Sequence, residues 1–403
     1  MSNTKKWRKL FHKRYIAWLF WHNICKLSSV IRKKANFYED FTLSKNCAVK
    51  TYREETEKYA LKDMGLEFTK EEKDFIKLVL QRELEPISEF IIHNLAIYKI
   101  QNILLIGNTG SLIQDKKIIL SEIKTDIEDK SYNKVKANFT KPIKKQEDEL
   151  FFSMVGTKKG NQHFYHFFID FFPLVFYLID TFENKPITII VNTNITSYQK
   201  FAYDYVTKKY HNIKIVEMPE NDIWEIPNLV YIANTKNVWN SFVDMKYVGF
   251  LREIFVKGQE IEIQENTKGN RYYISRNDTK NRNVINEDEL LPILEEYGFK
   301  VIYPTEHPLK EQIEMFANAE AIVAPAGAAF TNLLYARPET KIVGFYPSDL
   351  LSSCHMFMCK GVGIKQHKHI ISGAREGSRG HYRIPKEQLV NILKDCFYEN
   401  ESE

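Results

Sequence analysis

Three groups of residues in this 403-residue chain could do chemistry. Arg276 and Arg282 bracket the loop that follows Arg-Tyr-Tyr-Ile-Ser-Arg (271–276), and two guanidinium groups so placed form a fork suited to a diphosphate. Ala-Pro-Ala-Gly-Ala-Ala (324–329) joins an apolar run to a brief helical one. Small residues at a helix start offer backbone N–H groups to an anion, and Gly327 lets a phosphate come close with no Cβ in the way. Asn332 can cap that short helix or donate to a ligand. The same loop also fits a tight strand-to-helix packing turn, and the residues alone leave both readings open. His166 and Asp170 lie one turn apart on one face of an aromatic helical run, 163–182. Histidine titrates nearest neutral pH and suits a general base, although among so many phenylalanines it also fits a satisfied core position.

Other chemistries find less support. No Gly-x-Gly-x-x-Gly follows a strand, which argues against a dinucleotide cofactor. There is no Asp-x-Asp pair in a plausible loop and no clustering of His and Cys with metal-ligand spacing. The five cysteines (Cys25, Cys47, Cys354, Cys359, Cys396) are odd in number and irregularly spaced, and read as free thiols of a reducing compartment. A Cys354–Cys359 pair is the lesser alternative. With 44% hydrophobic and 27% charged residues the chain is an ordinary folded one, long enough for two domains. Much of the +5 net charge falls in the first 35 residues and says little about the body.

These residues need elements to hold them. Strand-like runs at 102–107, 117–123, 187–192, 213–218 and 228–234 alternate with helical runs at 163–182, 197–210 and 248–258. That alternation predicts a parallel sheet covered by helices. A polar stretch, 259–270, reads as an interdomain linker. The alternation then restarts: strands at 271–276, 299–304, 320–325 and 341–347, helices at 286–298, 309–319 and 385–398, and an irregular basic region, 365–385, before the last helix. Asn286 can cap the 286–298 helix with Glu289 completing a capping box, and Gly298 suits its end. The expected fold is α/β. In such sheets ligands bind at the carboxyl ends of the strands, where both arginines and the small-residue loop fall.

Taken in order, His-Phe-Tyr-His-Phe-Phe-Ile-Asp-Phe-Phe-Pro (163–173), Arg-Tyr-Tyr-Ile-Ser-Arg, Asn-Arg-Asn-Val-Ile-Asn-Glu-Asp-Glu-Leu (281–290) and the run from Leu309 through the small-residue loop to Leu334 resemble glycosyltransferase family 61. The resemblance covers about residues 150 to 395. It implies a GT-B-like pair of doubly wound Rossmann-like domains facing a cleft, and inverting transfer from a nucleotide sugar without a metal. It also implies that Ser275, Arg276, Arg282, Glu287, Glu311, Gln312, Gly327, Ala328 and Asn332 bind the donor, and that His166 and Asp170 serve the acceptor side as base and partner, in either order. One departure stands out: many relatives carry His before the loop glycine, where this chain has Ala326.

The expected domains are 1–35, 36–258 (acceptor side) and 259–403 (nucleotide-sugar side). The first 34 residues set an aromatic centre between basic clusters. This is too short to span a bilayer and lacks a signal-cleavage site, but it fits an in-plane helix on an anionic membrane surface or a helix packed on the body. The abundance of Lys, Asn and Ile, with no secretory or Golgi anchor, suggests a bacterial enzyme of capsule, lipopolysaccharide or wall-polymer synthesis, cytoplasmic at the inner membrane face. Its partners would be a nucleotide-sugar donor and a glycan or lipid-linked glycan acceptor, with no nucleic acid and no cofactor. A non-catalytic nucleotide-sugar or polyanion-binding protein is the alternative.

Overall fold

The computed structural model describes residues 39–42, 48–51, a few positions between 69 and 78, and 95–120, 142–156, 162–234 and 243–397, with single positions omitted inside these spans. The expected membrane-surface helix over residues 1–35 lies outside them.

Two sheets organise the chain. The first has ten strands: β1 (Glu39–Thr42), β2 (Ala48–Thr51), β3 (Leu95–Ile106), β4 (Leu112–Gln114), β5 (Lys117–Leu120), β6 (Ile143–Lys144), β7 (Leu150–Ser153), β8 (Ile187–Asn192), β9 (Ile213–Met218) and β10 (Ile223–Asn234). Their order is β1-β5-β4-β3-β10-β7-β8-β9, with β2 also on β3 and β6 also on β10. This corrects the expectation of a parallel sheet. β6, β7, β8, β9 and β10 run parallel, and β1 pairs parallel with β5, whereas β3 pairs antiparallel with β10 along its whole length, β2 and β4 antiparallel with β3, and β5 antiparallel with β4. The strand and helix runs alternate only from β7 onward, and the short connections from β3 to β4 and β4 to β5 allow antiparallel pairing.

Helices α1 (Phe164–Thr181), α2 (Ser197–Lys209) and α3 (Met245–Phe255) cover this sheet. Thr196 and Gln199 form a capping box that starts α2. α1 is long and apolar enough to cross a membrane, yet Phe167, Phe168, Ile169, Phe172, Val175 and Leu178 lie in the protein core.

The second sheet is fully parallel: β11 (Arg271–Ile274), β12 (Phe299–Ile302), β13 (Ala321–Pro325), β14 (Lys341–Pro347) and β15 (Gln366–Ser372), in the order β12-β11-β13-β14-β15. Within this unit that is 2-1-3-4-5, a doubly wound order whose switch point lies between β11 and β13. Helices α4 (Glu287–Glu296), α5 (Leu309–Ala317), α6 (Cys354–Val362) and α7 (Lys386–Phe397) connect and flank the strands. β15 occupies the first part of the region expected to be irregular. Residues 260–270, before β11, carry neither helix nor strand and are tied down by Asn318, which bonds Gln264 N and Glu262 O at 2.8 Å each.

One apolar cluster runs through both units. It joins Phe168, Leu251 and Phe255 of the first to Ile274, Ile313, Phe330 and Leu333 of the second. Arg252 of α3 adds a polar tie, donating to the carbonyls of Leu334 and Ala336. The first turn of α1 and the arginine-bearing edge of the second sheet are thereby held on one body.

Candidate active site

Arg276 leaves β11 at its carboxyl end, and Gly327 leaves the adjacent β13 at the same edge. The two meet. A Cβ on Gly327 would stand 2.0 Å from Arg276 Nη1. The glycine backbone is extended (φ −178°), so it is the neighbour and not the dihedral that excludes a side chain. Beyond Gly327 the chain forms the expected short helix, an eight-residue 3-10 helix, Ala328–Tyr335.

Arg276 is half-buried. Its Nη2 donates to Asn281 O at 3.3 Å, while its buried Nε has no partner among the described residues. Burial, and then the charge of Arg282, pull this guanidinium below its usual value. Two adjacent cations with an unused buried donor are well matched to an anion. Arg282 adopts a left-handed backbone (φ 60°), and its N–H donates to Arg379 O at 3.0 Å. The hairpin carrying Arg379 also bonds Asn283 through His381, and Tyr382 pairs with Val284. Nothing in the sequence signalled this clamp, because its partners stand about a hundred residues apart and bond mainly through backbone.

Ser275 and Glu287, expected to touch the donor, are buried against each other. Glu287 accepts from Tyr273 Oη (2.6 Å), from Ser275 Oγ (2.9 Å) and from Asn277. Burial raises its carboxyl above the usual range. These residues shape the loop that delivers Arg276. Asn286 stands at the N-cap position of α4, but its side chain makes no capping bond and the expected box with Glu289 does not form. Its side chain instead bonds both N and O of Ile384, and Glu289 pairs with Lys386.

Gln312 and Asn332 are likewise internal. Asn332 is fully buried and donates to Gln312 Oε1 at 3.2 Å, and Gln312 holds the carbonyls of Pro304 and His307. Glu311, one residue earlier, is exposed at the carboxyl edge beyond β12 and pairs with His307 Nδ1 at 2.9 Å. Ala328 is partly exposed at the start of the 3-10 helix.

The first turn of α1 packs on that 3-10 helix, which brings the first unit's histidines to the arginine edge. His166 Nδ1 lies 2.6 Å from Asp170 Oδ2, and both are about a third exposed, at 30% and 28%. Between them α1 opens into a π-helical turn, Phe167–Phe171. Pro173 explains the turn: it has no N–H, and its ring would clash with the carbonyl four residues back. Phe172 N–H therefore bonds Phe167 O, and the Phe168 carbonyl takes the Tyr247 hydroxyl at 2.5 Å. Such turns recur at functional sites. Tyr165 shares a hydrogen bond with Cys354 at the start of α6. Burial would raise that thiol, but His355 and the Ser352 and Tyr165 hydroxyls outweigh it and draw it down to about 7. Cys354, Cys359 and Cys396 form no disulfide among the described residues.

Residues 164–343 match the glycosyltransferase 61 family model, a segment that opens with α1 and ends in β14. The chain carries a glycosyltransferase 61 domain. It is a glycosyltransferase. The match contains His166, Asp170, both arginines and Gly327. No match is found among curated proteins.

Proposed function

We propose that this glycosyltransferase inverts the anomeric centre of a nucleotide sugar, holding the diphosphate on Arg276, Arg282 and the amides that follow Gly327. The observation that carries the reading is the Arg276 guanidinium, seated on Gly327 with an unpartnered buried Nε beside a second arginine. These cations and the loop amides would neutralise the leaving group without a metal. Glu311, exposed at the same edge, would accept hydrogen bonds from the ribose. His166, oriented by Asp170, would take the proton of the acceptor hydroxyl as the new glycosidic bond forms and the bond to diphosphate breaks. Asp170 would stabilise the resulting imidazolium.

The acceptor side is read as a glycan or lipid-linked glycan of bacterial surface polysaccharide, the enzyme working in a GT-B-like cleft at the inner face of the cytoplasmic membrane. The basic, aromatic residues 1–34 support membrane contact. Co-sedimentation with anionic vesicles, lost on deleting residues 1–34, tests this last part; equal sedimentation of both forms would overturn it.

The donor site is tested by calorimetry with UDP, GDP, TDP and CMP. Arg276→Ala should weaken the bound diphosphate by about 2–3 kcal/mol while leaving the nucleoside nearly unaffected. Equal diphosphate affinity of variant and wild type removes Arg276 from the site.

A further inference from the structure

His163 stands one residue before α1, and no role above uses it. Its carbonyl accepts Phe167 N–H at 2.8 Å, so the backbone serves as the helix cap, yet the imidazole caps nothing. The positions 163, 166 and 170 follow the 3-and-4 spacing of one helical face. The rings of His163 and His166 are 5.0 Å apart. The turn that His163 opens packs on the 3-10 helix that follows Gly327, the residue on which Arg276 rests. His166 is engaged with Asp170 through Nδ1, which leaves His163 as the second imidazole on this face.

Resting on the diphosphate reading, we propose that His163 is a third cationic contact for the leaving diphosphate, taking up a proton from solvent when the donor binds and releasing it when the nucleotide departs. Partial burial, then His166 and Arg282, hold the imidazole below its usual value, and Asp170 pulls the other way. Other titratable groups around this turn are Arg276 beside Arg282, Tyr165, whose ring meets that of His166 edge-on, Cys354 of α6, which bonds Tyr165, and Tyr198 of α2, whose hydroxyl donates to the adjacent Gln162 carbonyl. The 3-10 helix facing this turn contributes no charged side chain, and its Tyr335 is buried. A diphosphate placed on the two arginines cancels the cationic field that opposes protonation, and the extra charge that develops on the leaving nucleoside diphosphate turns it anionic. The protonated imidazole then becomes favourable, and its N–H can meet a phosphate oxygen as a charge-assisted donor. Labour divides between the histidines: His166 receives the acceptor's proton, and His163 steadies the departing charge.

The sign follows. If the imidazole binds its proton more tightly in the complex than in the empty site, nucleotide affinity rises as pH falls through the neutral range. The experiment is calorimetry of the full-length protein with UDP, GDP or TDP, whichever the wild type binds. It is run at several pH values and in buffers of differing ionisation enthalpy, beside His163→Gln. Expected are net proton uptake by wild type in excess of the variant, an affinity about tenfold lower for the variant at pH 6.5, and convergence of the two above pH 8. Protonation of the nucleotide itself is common to both proteins and cancels. Equal proton uptake and parallel pH profiles in wild type and His163→Gln, with Arg276→Ala still weakening the nucleotide, would overturn the role of His163 and leave the diphosphate site standing. No binding of any of the three diphosphates by wild type would overturn both.

Discussion

The guanidinium of Arg276 occupies the space that a side chain on Gly327 would need, Nη1 lying 2.0 Å from the position of that missing Cβ. Two residues 51 positions apart thus form one feature at the switch point of the second sheet. The sequence pattern had suggested that a phosphate would come close to Gly327. In the structure an arginine does instead.

This relation makes the glycine testable separately from the arginine. Gly327→Ala has an ordinary extended backbone to adopt and needs only the far end of a long side chain to shift. We expect Gly327→Ala to fold, with its thermal midpoint within a few degrees of wild type, and to lose about tenfold or more in diphosphate affinity. Gly327→Val should lose more. If Gly327→Ala binds as wild type does, the seating of Arg276 is irrelevant to the donor.

The base is tested by turnover. His166→Ala and Asp170→Asn, assayed with donor and acceptor once identified, should each lose about 100-fold or more in kcat with donor affinity retained. Asp170→Asn keeps the geometry but cannot stabilise an imidazolium. Normal turnover in both variants would move the base elsewhere in the first unit.

Tyr247 supports that pair from behind, through the Phe168 carbonyl that the π-turn deprives of a helical donor. Tyr247→Phe should cost about 1–3 kcal/mol in denaturant unfolding, the range for a buried polar group left unpaired. By loosening the turn between His166 and Asp170 it should also lower kcat about tenfold with little change in KM. A variant as stable and active as wild type would show that the turn holds without this bond.

The sequence was legible where local rules decide. Buried parallel strands read as apolar runs, and the carboxyl-edge positions of Arg276, Arg282 and Gly327 follow once those strands are placed. Pro173 inside a helical run is a readable sign of the π-turn. Roles that depend on distant partners were not legible. Whether Glu287 faces a ligand or Tyr273, or whether Asn286 caps its helix or holds Ile384, is decided by chains folding back from far along the sequence. The antiparallel half of the first sheet was hidden for the same reason, since β3 and β10 are separated by the whole of β4 to β9.

The last prediction concerns acid stability. His367 and His369 sit two apart on β15 with rings 4.2 Å from each other, and His369 stacks on Phe75 at 4.0 Å. Lys368 between them binds Glu71 and Asp395, so this edge also anchors the segment carrying Phe75. Neither nitrogen of His367 has a hydrogen-bond partner, nor has Nε2 of His369. Burial first, then His369, His355 and Lys360, hold His367 well below its usual value, and burial first, then His355 and Lys368, lower His369 to about 3. A histidine held neutral when folded favours the unfolded chain once pH falls below its unfolded value, near 6.5. Stability contributed by this pair is therefore intact above about pH 7. It should fall by about 1.4 kcal/mol per pH unit for each histidine below about 6. Denaturant unfolding from pH 8 to 4 measures the slope. Replacing the pair by His367→Leu and His369→Phe, which keeps the apolar contacts, should flatten it by about two protons. Hydrogen exchange over residues 69–78 should quicken in acid for wild type alone. The same slope in both proteins would mean that the acid sensitivity resides in other groups.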